Sequence, residues 1–411
     1  MEGDRVREDR LTRKIRQVLD VFPWYARMLA AEGADIRTAQ SLQLLPLMTS
    51  EMLERYYYQS GPPFEPRDNM TCYRTSGTSS RRRKTIYYSA EDERRYIRIK
   101  SGLFNRIIAP FGITTALSDM GTGHAASTAP ETFDRIGIKV DTIAFQQPIE
   151  EHLERLRTLR PQLLYTMPSI LDRILAASAE DPSSYGIRQV VLVGEIASPA
   201  WLRSVAERLW LAPESITDTY GSIEIGTIAY YSHEHGRYLF AEGIEAEGIP
   251  AQALYDDIEP LPENESVLVL TSWARDLFPA IRYVTYDIVR DLRPIVVKGQ
   301  SRMSFQAIVR RIGTELKHGE KISVYDIEDV VYRHLKEATV RVHVQSNALT
   351  VHIDSKDKTP EIYERIELEL QDRIPEIGIM IRGGLLHAIR VVPSEISYDA
   401  RVLKHKRIFY D

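Results

Sequence analysis

The chain has 411 residues, of which 43% are hydrophobic and 27% charged, and its formal net charge at pH 7 is -5. This length predicts two domains, and the composition predicts an ordinary globular protein. The acidic balance argues against a nucleic-acid-binding protein, which needs a basic face. Cys72 is the single cysteine, so an intrachain disulfide and a cysteine-based metal cluster are excluded, and a cytoplasmic setting is expected. Met1–Arg16 lacks the apolar core of a signal peptide, and no run of about 20 apolar residues predicts a membrane span.

The first hundred or so residues predict helices followed by two short strands. Arg5–Ala31 has a helical pattern that Pro23 interrupts, and Thr49 is a candidate cap for another helix. Thr71–Thr75 and Thr85–Ser89 are strand candidates on either side of a polar loop. Ser89 followed by Ala-Glu-Asp-Glu predicts the start of a further helix.

Strands and helices alternate between residues 110 and 230, which predicts a mainly parallel sheet covered by helices. The predicted strands are Thr114–Leu117, Ile138–Phe145, Gln162–Tyr165 and Gln189–Val193, and the predicted helices are Glu150–Leu159 and Ile170–Ala177. Tyr238–Ile249 and Glu265–Ser272 predict a smaller β-rich section after this sheet.

The pattern changes near residue 308. Arg341–Val344 and Ala348–Ile353 are strand candidates, and two amphipathic helices accompany them. One helix carries Ile327, Val330, Val331 and Leu335, and the other begins at Thr359-Pro360. The predicted fold class is α/β, with a large N-terminal α/β domain of parallel-rich sheets over residues 1–308 and a small mobile C-terminal α+β lid over residues 309–411.

The polar loop Thr75–Ser80 is followed by four cations, Arg81–Lys84. Small hydroxyl residues around Gly77 leave backbone N–H groups free to form an anion-binding concavity for the β- and γ-phosphates of ATP. Arginine or lysine can then steady the leaving pyrophosphate. The alternative is a surface loop with a solvated charge run. The Gly-x4-Gly-Lys-[Ser/Thr] phosphate loop is excluded, because its second glycine and its lysine are missing at that spacing.

Two further segments lie where ligands bind in parallel sheets, at strand ends. Asp218–Glu224 is predicted to follow a strand and to contain a tight glycine turn; its Tyr220 can pack on a base, and its Glu224 can bind Mg²⁺. Val193-Gly194-Glu195 ends a strand rich in valine and leucine. For Asp218–Glu224 the alternative is a loop with a buried tyrosine and an exposed glutamate. For Val193-Gly194-Glu195 it is a solvent-facing glutamate at a strand end.

Arg282–Asp287 places an aspartate at a predicted strand end, where it can accept both ribose hydroxyls or, alternatively, cap the next segment. The basic segment Leu403–Arg407 is either a solvated tail or the source of a lysine that offsets charge as an adenylate forms.

The order and spacing of these segments resemble the adenylate-forming ligase superfamily, and within it the phenylacetate–CoA ligase branch with its short stand-alone aryl-acid-activating members. The resemblance covers nearly the whole chain. Pro23-Trp24-Tyr25, Leu45–Thr49 and Tyr165–Ser169 extend it to this branch.

The resemblance implies roles for the residues that match. The phosphate-binding loop is matched by Thr75, Ser76, Gly77, Thr78, Ser79 and Ser80; the segment lining the adenine by Gly194 and Glu195; and the adenine and acyl-site motif by Tyr220, Gly221 and Ser222. It also implies a Mg²⁺ ligand (Glu224), a ribose-binding aspartate (Asp287), an arginine near the interdomain hinge (Arg310) and the catalytic lysine of the lid (Lys404).

Several positions depart from the family pattern. Ser79-Ser80 replace the usual Thr-Gly, and either Arg83 or Lys84 takes the place of the loop lysine. Val309 stands where the hinge motif has glycine, so the hinge residue stays open. Leu403 replaces the glycine before the catalytic lysine, and Lys406 lies close enough to compete with Lys404.

The substrates are implied by the resemblance alone. Leu117–His124, which includes the substrate-site candidate Gly123, occupies the place where this branch lines its acyl pocket, and Asp119 or His124 is a candidate hydrogen-bond partner of a ring hydroxyl. Tyr165 and Met167 are candidates to line the ring. We therefore expect activation of an aryl acid, of the hydroxybenzoate type used in siderophore biosynthesis, with ATP and Mg²⁺. The acyl group then passes to coenzyme A or to the phosphopantetheine of a carrier protein.

Three alternatives stay open. The first is an acyl-CoA ligase for another acid, of the phenylacetate type. The second is a homologue that binds nucleotide without turnover, suggested by the altered loop and hinge. The third is a scaffold or nucleic-acid binder that uses Arg81–Lys84, which the acidic chain disfavours.

Overall fold

The computed structural model describes residues 2–34, 41–58, 61–65, 69–74, 84–120, 123–195, 197–255, 258, 260–312, 324–345, 348–374, 381, 389–395 and 408–410. The helices are α1 (Glu2–Val21), α2 (Pro23–Ala31), α3 (Ser50–Tyr56), α4 (Ala90–Ile108), α5 (His124–Ser127), α6 (Ala129–Asp134), α7 (Ile149–Leu159), α8 (Pro168–Ala177), α9 (Pro199–Leu209), α10 (Val324–His334) and α11 (Pro360–Arg373). Among them, none combines the length and the apolar character that crossing a bilayer requires.

The strands follow the same order along the chain. They are β1 (Met70–Arg74), β2 (Thr85–Ser89), β3 (Thr115–Met120), β4 (Lys139–Ala144), β5 (Leu163–Thr166), β6 (Gln189–Val193), β7 (Ile216–Ser222), β8 (Gly226–Ser232), β9 (Arg237–Phe240), β10 (Ile244–Ile249), β11 (Glu265–Ser272), β12 (Tyr283–Arg290), β13 (Arg293–Val297), β14 (Gln300–Phe305), β15 (Ala307–Arg311), β16 (Ala338–Gln345), β17 (Ala348–Ser355), β18 (Arg390–Pro393) and β19 (Ile408–Tyr410).

The chain divides into two compact units that each contain several segments. The first unit is Met1–Ile107, Gly123–Ile136 and Thr219–Gly313, and the second is Ile108–Thr122, Gly137–Asp218 and Thr314–Asp411. The polypeptide therefore passes between the units several times, and β7 begins in the second unit and ends in the first.

Helix α4 of the first unit begins where the sequence predicted it. Ser89 Oγ accepts a hydrogen bond from the N–H of Asp92 at 3.0 Å, and Asp92 Oδ2 accepts from the N–H of Ser89 at 3.2 Å. This reciprocal capping satisfies two N–H groups that the first helical turn leaves free. It fixes the first turn of α4, which carries Glu93.

The sheets of the first unit are antiparallel. β1 pairs with β2, and a four-stranded sheet has the order β10-β11-β12-β15. The predicted section Tyr238–Ile249 is not one element, since β9 pairs with β8 and β14 whereas β10 pairs with β11. Gly243, which has a φ of +80°, turns the chain between these two sheets.

The second unit contains the parallel sheet that the alternating pattern predicted. Its strands follow the order β6-β5-β3-β4, and β6 has the predicted bounds. Leu163, Leu164, Val190 and Val191 are fully buried, as expected for strands covered on both faces. The carboxyl ends of these strands carry the candidate residues Asp119 and Gly194.

The C-terminal part of the second unit is a small α+β domain. Its sheet has the order β18-β17-β16-β19 and packs against α10 and α11 around a core of its own, which includes Ile327, Val331, Val351, Ile353 and Ile366. Helix α9 of the same unit contacts α10, and Ser204 Oγ donates to the carbonyl of Lys336 at 2.5 Å. The predicted boundary at residue 308 and the predicted lid motion stay predictions.

Candidate functional site

Several sequence-predicted residues lie outside the described part of the chain. These are the loop Thr75–Ser80, the cations Arg81–Arg83 and the lysine Lys404. Lys84 is described, and its Nζ lies 2.8 Å from Glu54 Oε1 and 4.5 Å from the centre of the Tyr58 ring. The roles of these cations at ATP stay predictions.

Asp287, the candidate ribose ligand, does not end its strand as the sequence predicted. It lies within β12, where Val267 opposite Ile288 and Val269 opposite Val284 leave three residues of β12 facing the single residue Leu268. This irregularity bulges the strand outward. Tyr286 takes a φ of +63° there, and Asp287 follows it, paired with Arg311 of β15.

Hydrogen bonds hold the bulge in place. Thr285 Oγ1 donates to the carbonyl of Leu268 at 2.8 Å and accepts from the N–H of Asp287 at 3.1 Å. The N–H of Ile312 donates to the carbonyl of Tyr286 at 2.7 Å. These bonds fix the backbone on both sides of Asp287, whose ribose-binding role stays a prediction.

Tyr220 and Arg311 converge on Asp287. Tyr220 Oη donates to Asp287 Oδ2 at 2.5 Å, and Arg311 Nη1 lies 3.7 Å from Asp287 Oδ1. Burial and the neighbouring Asp287 carboxylate raise the pKa of Tyr220 well above its usual value. The Asp287 charge likewise raises the pKa of Arg311, so a neutral phenol and a guanidinium flank the carboxylate.

The sequence indicated Arg310 as the arginine near the hinge, a role that stays a prediction, whereas the arginine beside Asp287 is Arg311. In the β12–β15 pair Arg311 lies opposite Asp287, whereas Arg310 lies opposite Ile288. Neighbouring residues in a strand point to opposite faces, so only Arg311 shares the face of Asp287. The two adjacent arginines gave no sequence signal to choose between them, because that choice depends on the strand register.

The segment Asp218–Glu224 is largely strand rather than a loop after a strand. β7 runs to Ser222, and the tight connection to β8 comes after it, at residues 223–225. A Cβ at Gly221 would lie 2.9 Å from the carbonyl oxygen of Gly226, so glycine is required by the close approach of the two strands. The Ser222 Oγ accepts from the N–H of Ile225 at 3.2 Å and closes the turn.

The backbone of Glu224 is anchored from two sides. Arg275 Nε donates to the carbonyl of Glu224 at 2.9 Å, and Tyr88 Oη donates to the carbonyl of Ile223 at 2.8 Å. Arg275 is itself buried, and its Nη1 lies 2.7 Å from Asp92 Oδ2. Burial raises the pKa of Tyr58 and of Tyr283, and the Glu224 carboxylate raises both further. This carboxylate therefore lies near the two phenols.

In the second unit, Glu195 meets the segment Tyr165–Ser169. Its Oε2 accepts from the N–H of Ser169 at 2.8 Å and its Oε1 from Ser169 Oγ at 2.8 Å. Ser169 is in the first turn of α8, so this carboxylate complements the positive end of the helix. Gly194 takes a φ of +87°, and a Cβ there would lie 3.6 Å from Met167 Cε. Glu195 is therefore engaged with α8 rather than simply facing solvent.

The candidate acyl-site residues of the second unit are deeply buried. Asp119 is 0% exposed, Tyr165 1% and Met167 3%. Asp119 Oδ2 lies 2.7 Å from His152 Nδ1, and His152 Nε2 lies 3.2 Å from the carbonyl of Gln147. Burial raises the pKa of Asp119. Its Oδ1 has no partner among the described residues.

Gly123 and His124 begin α5 in the first unit, and Gly123 takes a φ of +110°. His124 Nε2 lies 2.8 Å from Glu93 Oε2, and Tyr73 Oη donates to Glu93 Oε1 at 2.8 Å. Sequence reasoning did not select Glu93. Its position in the first turn of α4 looked like an ordinary helix start, and only the fold brings it to His124.

Comparisons with known proteins agree on one family. Residues 317–397 match the family model described as the fumarate–diaminopropanoate ligase C-terminal domain. The chain is 37% identical to a fumarate–(S)-2,3-diaminopropanoate ligase of Enterobacter agglomerans over 377 residues, which cover 92% of this chain and 93% of that protein. It is 23% identical to a phenylacetate–coenzyme A ligase of Pseudomonas putida over 384 residues, covering 84% and 82%.

Among solved structures, a 2-hydroxyisobutyryl-CoA ligase in its postadenylation state has the same fold. The TM-score is 0.77 at 16% identity, with 100% of this chain and 90% of that chain covered. The alternatives of a binding-only homologue and of a scaffold are therefore set aside. The chain is an enzyme that belongs to the adenylate-forming ligases, in the branch that resembles phenylacetate–CoA ligase and includes fumarate–(S)-2,3-diaminopropanoate ligase.

Proposed function

We propose that this enzyme adenylates a small polar carboxylic acid with ATP and transfers the acyl group to an amine, forming an amide. The observation that carries the proposal is the 37% identity, over 92% of the chain, to a ligase named for joining fumarate to (S)-2,3-diaminopropanoate.

In this proposal Asp287 accepts hydrogen bonds from the ribose hydroxyls, and Tyr220 and Arg311 hold its carboxylate. The Tyr220 ring is free to pack beside the base. Thr75–Ser80 bind the β- and γ-phosphates, and Lys404 offsets charge at the α-phosphate. Gly194 and Glu195 line the adenine.

Glu224 fits a magnesium ligand by its chemistry. Among the described residues, no three histidine, cysteine, aspartate or glutamate side chains converge on one point. Mg²⁺ is usually bound by one or two carboxylates together with substrate phosphates, and Glu224 offers one such carboxylate. When bound, the ion would neutralise phosphate charge.

The first step forms a mixed anhydride. A carboxylate is a poor electrophile because its negative charge repels a nucleophile. One of its oxygens attacks the α-phosphorus of ATP, the bond to the β-phosphate breaks, and pyrophosphate leaves with the electron pair. The resulting acyl-adenylate has AMP as a good leaving group. An amine then attacks its carbonyl carbon and releases AMP.

A second candidate is the acid–thiol ligase expected from the sequence, in which coenzyme A or the phosphopantetheine of a carrier protein accepts an aryl acid. The similarity to a phenylacetate–coenzyme A ligase favours the coenzyme A version of this candidate. Hydroxybenzoates, siderophore-type acids and a carrier protein belong to its substrate panel.

The test is a panel of acids in ATP–pyrophosphate exchange, followed by a panel of acceptors. The acids are fumarate, succinate, benzoate, 2,3-dihydroxybenzoate and phenylacetate, and the acceptors are (S)-2,3-diaminopropanoate, coenzyme A and a phosphopantetheinyl carrier protein. We expect exchange with a dicarboxylate, and an amide product detected by mass spectrometry. Exchange with aryl acids alone, or a thioester as the only product, would favour the second candidate.

Two substitutions test the proposed adenylation roles. We expect Lys404→Ala and Glu224→Gln each to lower pyrophosphate exchange about 10²–10³-fold, since each removes a group that stabilises developing charge. Glu180→Gln, which removes an exposed carboxylate paired with Arg157, is the matched control. Undiminished exchange in Lys404→Ala would remove the role assigned to that lysine.

A further inference from the structure

We propose that the Glu93–His124 pair takes the proton from the acceptor amine as it attacks the acyl-adenylate. This inference rests on the proposed amide-forming function. It assigns proton removal to two residues of the first unit, since an attacking amine must lose a proton to become an amide nitrogen.

The hydrogen bonds to Glu93 determine which histidine nitrogen is free. Tyr73 Oη donates to Oε1 of Glu93 at 2.8 Å, and His124 Nε2 lies 2.8 Å from Oε2. With Glu93 as a carboxylate, the proton of the neutral imidazole lies on Nε2 and the lone pair on Nδ1. Among the described residues, Nδ1 of His124 makes no hydrogen bond.

The imidazole ring is held by packing. The ring centre of His124 lies 4.0 Å from that of Tyr96, 4.1 Å from that of Tyr88 and 4.6 Å from that of Tyr73. Its backbone carbonyl accepts from Thr128 Oγ1 at 2.6 Å, which closes the short helix α5. A base that is locked in orientation does not have to be ordered during the reaction.

The pair lies next to the Tyr220–Glu224 segment. The Tyr88 ring that packs on His124 donates its hydroxyl to the carbonyl of Ile223. A single aromatic side chain therefore separates the imidazole from the turn that carries Glu224. If the segment Leu117–His124 lines the acyl pocket, as the sequence predicts, the acyl-adenylate lies near His124.

The charges around His124 favour its neutral form. Burial lowers the pKa of His124; the Glu93 carboxylate raises it, and Lys100 and Arg275 lower it further. The other titratable groups facing the ring are the phenols of Tyr73, Tyr88 and Tyr96, whose pKa values are raised by burial. A neutral imidazole is the form that accepts a proton.

The nitrogen lone pair of the free amine forms the C–N bond to the carbonyl carbon, and the carbonyl carbon–oxygen bond to AMP breaks, so that AMP leaves with the electron pair. One N–H proton passes to His124 Nδ1, and Glu93 stabilises the imidazolium that forms. The proton then returns to water, and the products are the amide and AMP.

The experiment separates the two half-reactions in the full-length enzyme. His124→Gln and Glu93→Gln are assayed for pyrophosphate exchange with fumarate, for amide formation with (S)-2,3-diaminopropanoate, and for hydroxamate formation with hydroxylamine. Hydroxylamine is largely unprotonated at neutral pH and attacks adenylates without a base. His334→Gln is the matched control, because His334 likewise lies beside a glutamate. Its Nε2 is 2.6 Å from Glu369 Oε2.

We expect His124→Gln to lower amide formation about 10²–10⁴-fold, to retain pyrophosphate exchange and hydroxamate formation, and to be partly rescued by added imidazole. The rate of amide formation in the variant should rise with pH where that of the wild type has levelled off. Equal losses in all three assays, or no loss in amide formation, would overturn the assignment. If the wild type forms no amide with any amine, the proposed function fails first, and this assignment fails with it.

Discussion

His152 in the second unit and His124 in the first unit each lie next to a carboxylate, at 2.7 Å and 2.8 Å, yet their surroundings differ. Both nitrogens of His152 face acceptors, Asp119 and the Gln147 carbonyl, and the side chains of Asp119 and His152 are at most 1% exposed. The side chains of Glu93 and His124 are 17% and 4% exposed, and in the described part of the chain only one nitrogen of His124 makes a hydrogen bond.

This difference separates two uses of the same chemical pair. A histidine whose two nitrogens are satisfied in the core fixes β3 against α7 and has no capacity left for a substrate. A histidine with one committed nitrogen, beside a carboxylate that water can reach, keeps a lone pair for chemistry. The distances and the residue types alone do not show which of the two histidines is available for chemistry.

The largest effect on the free energy of unfolding is expected from breaking the buried Asp119–His152 pair. Asp119→Ala should lower the free energy of unfolding by about 3–5 kcal/mol, because it leaves His152 without its partner in the core. Glu93→Ala should lower it by only about 1–2 kcal/mol, since the Glu93 side chain is 17% exposed and water can enter the space that it leaves. Urea unfolding followed by circular dichroism measures both. Equal losses would mean that the two pairs serve the same structural purpose.

Lowering the pH is expected to have a smaller effect on the free energy of unfolding. Because the folded-state pKa of His124 is lowered from its ordinary value of 6.5, the unfolded chain binds the proton first as the pH falls. The stability contributed by the neutral imidazole is complete above that value and is lost as the pH falls from it towards the folded-state pKa. The slope is at most about 1.4 kcal/mol per pH unit.

His124→Gln should remove this contribution from the stability of the protein between about pH 6.5 and the acid limb. Urea unfolding of wild type and variant in matched buffers measures the difference between their slopes. Parallel curves would show that His124 binds a proton as readily in the folded protein as in the unfolded chain, contrary to the effect of its burial.

The smallest expected effect concerns the helix that carries Glu93. Ser89→Ala removes the cap of α4 and should lower the free energy of unfolding by about 1 kcal/mol. It should slow amide formation only slightly, because the aromatic packing around His124 stays in place. A thermal melt with the amide assay measures both; a loss of activity as large as that of Glu93→Gln would mean that the cap, rather than the packing, positions the pair.

Local patterns were sufficient for much of the fold. The strands β2, β6 and β11 have the predicted bounds, and Ser89, Thr49 and Thr359 mark helix starts as expected. These signals are local because capping and strand periodicity depend on residues a few positions apart. The family could also be identified from the sequence, because its segments keep their order from Thr75 to Lys404.

The tertiary structure decided which residues meet. Whether Arg310 or Arg311 faces Asp287 depends on the register between β12 and β15, and the bulge next to Asp287 depends on the pairing of β12 with β11. Glu93 reaches His124 although 31 positions separate them along the chain. Such contacts follow from packing between distant segments, which residue types and spacing along one chain do not encode by themselves.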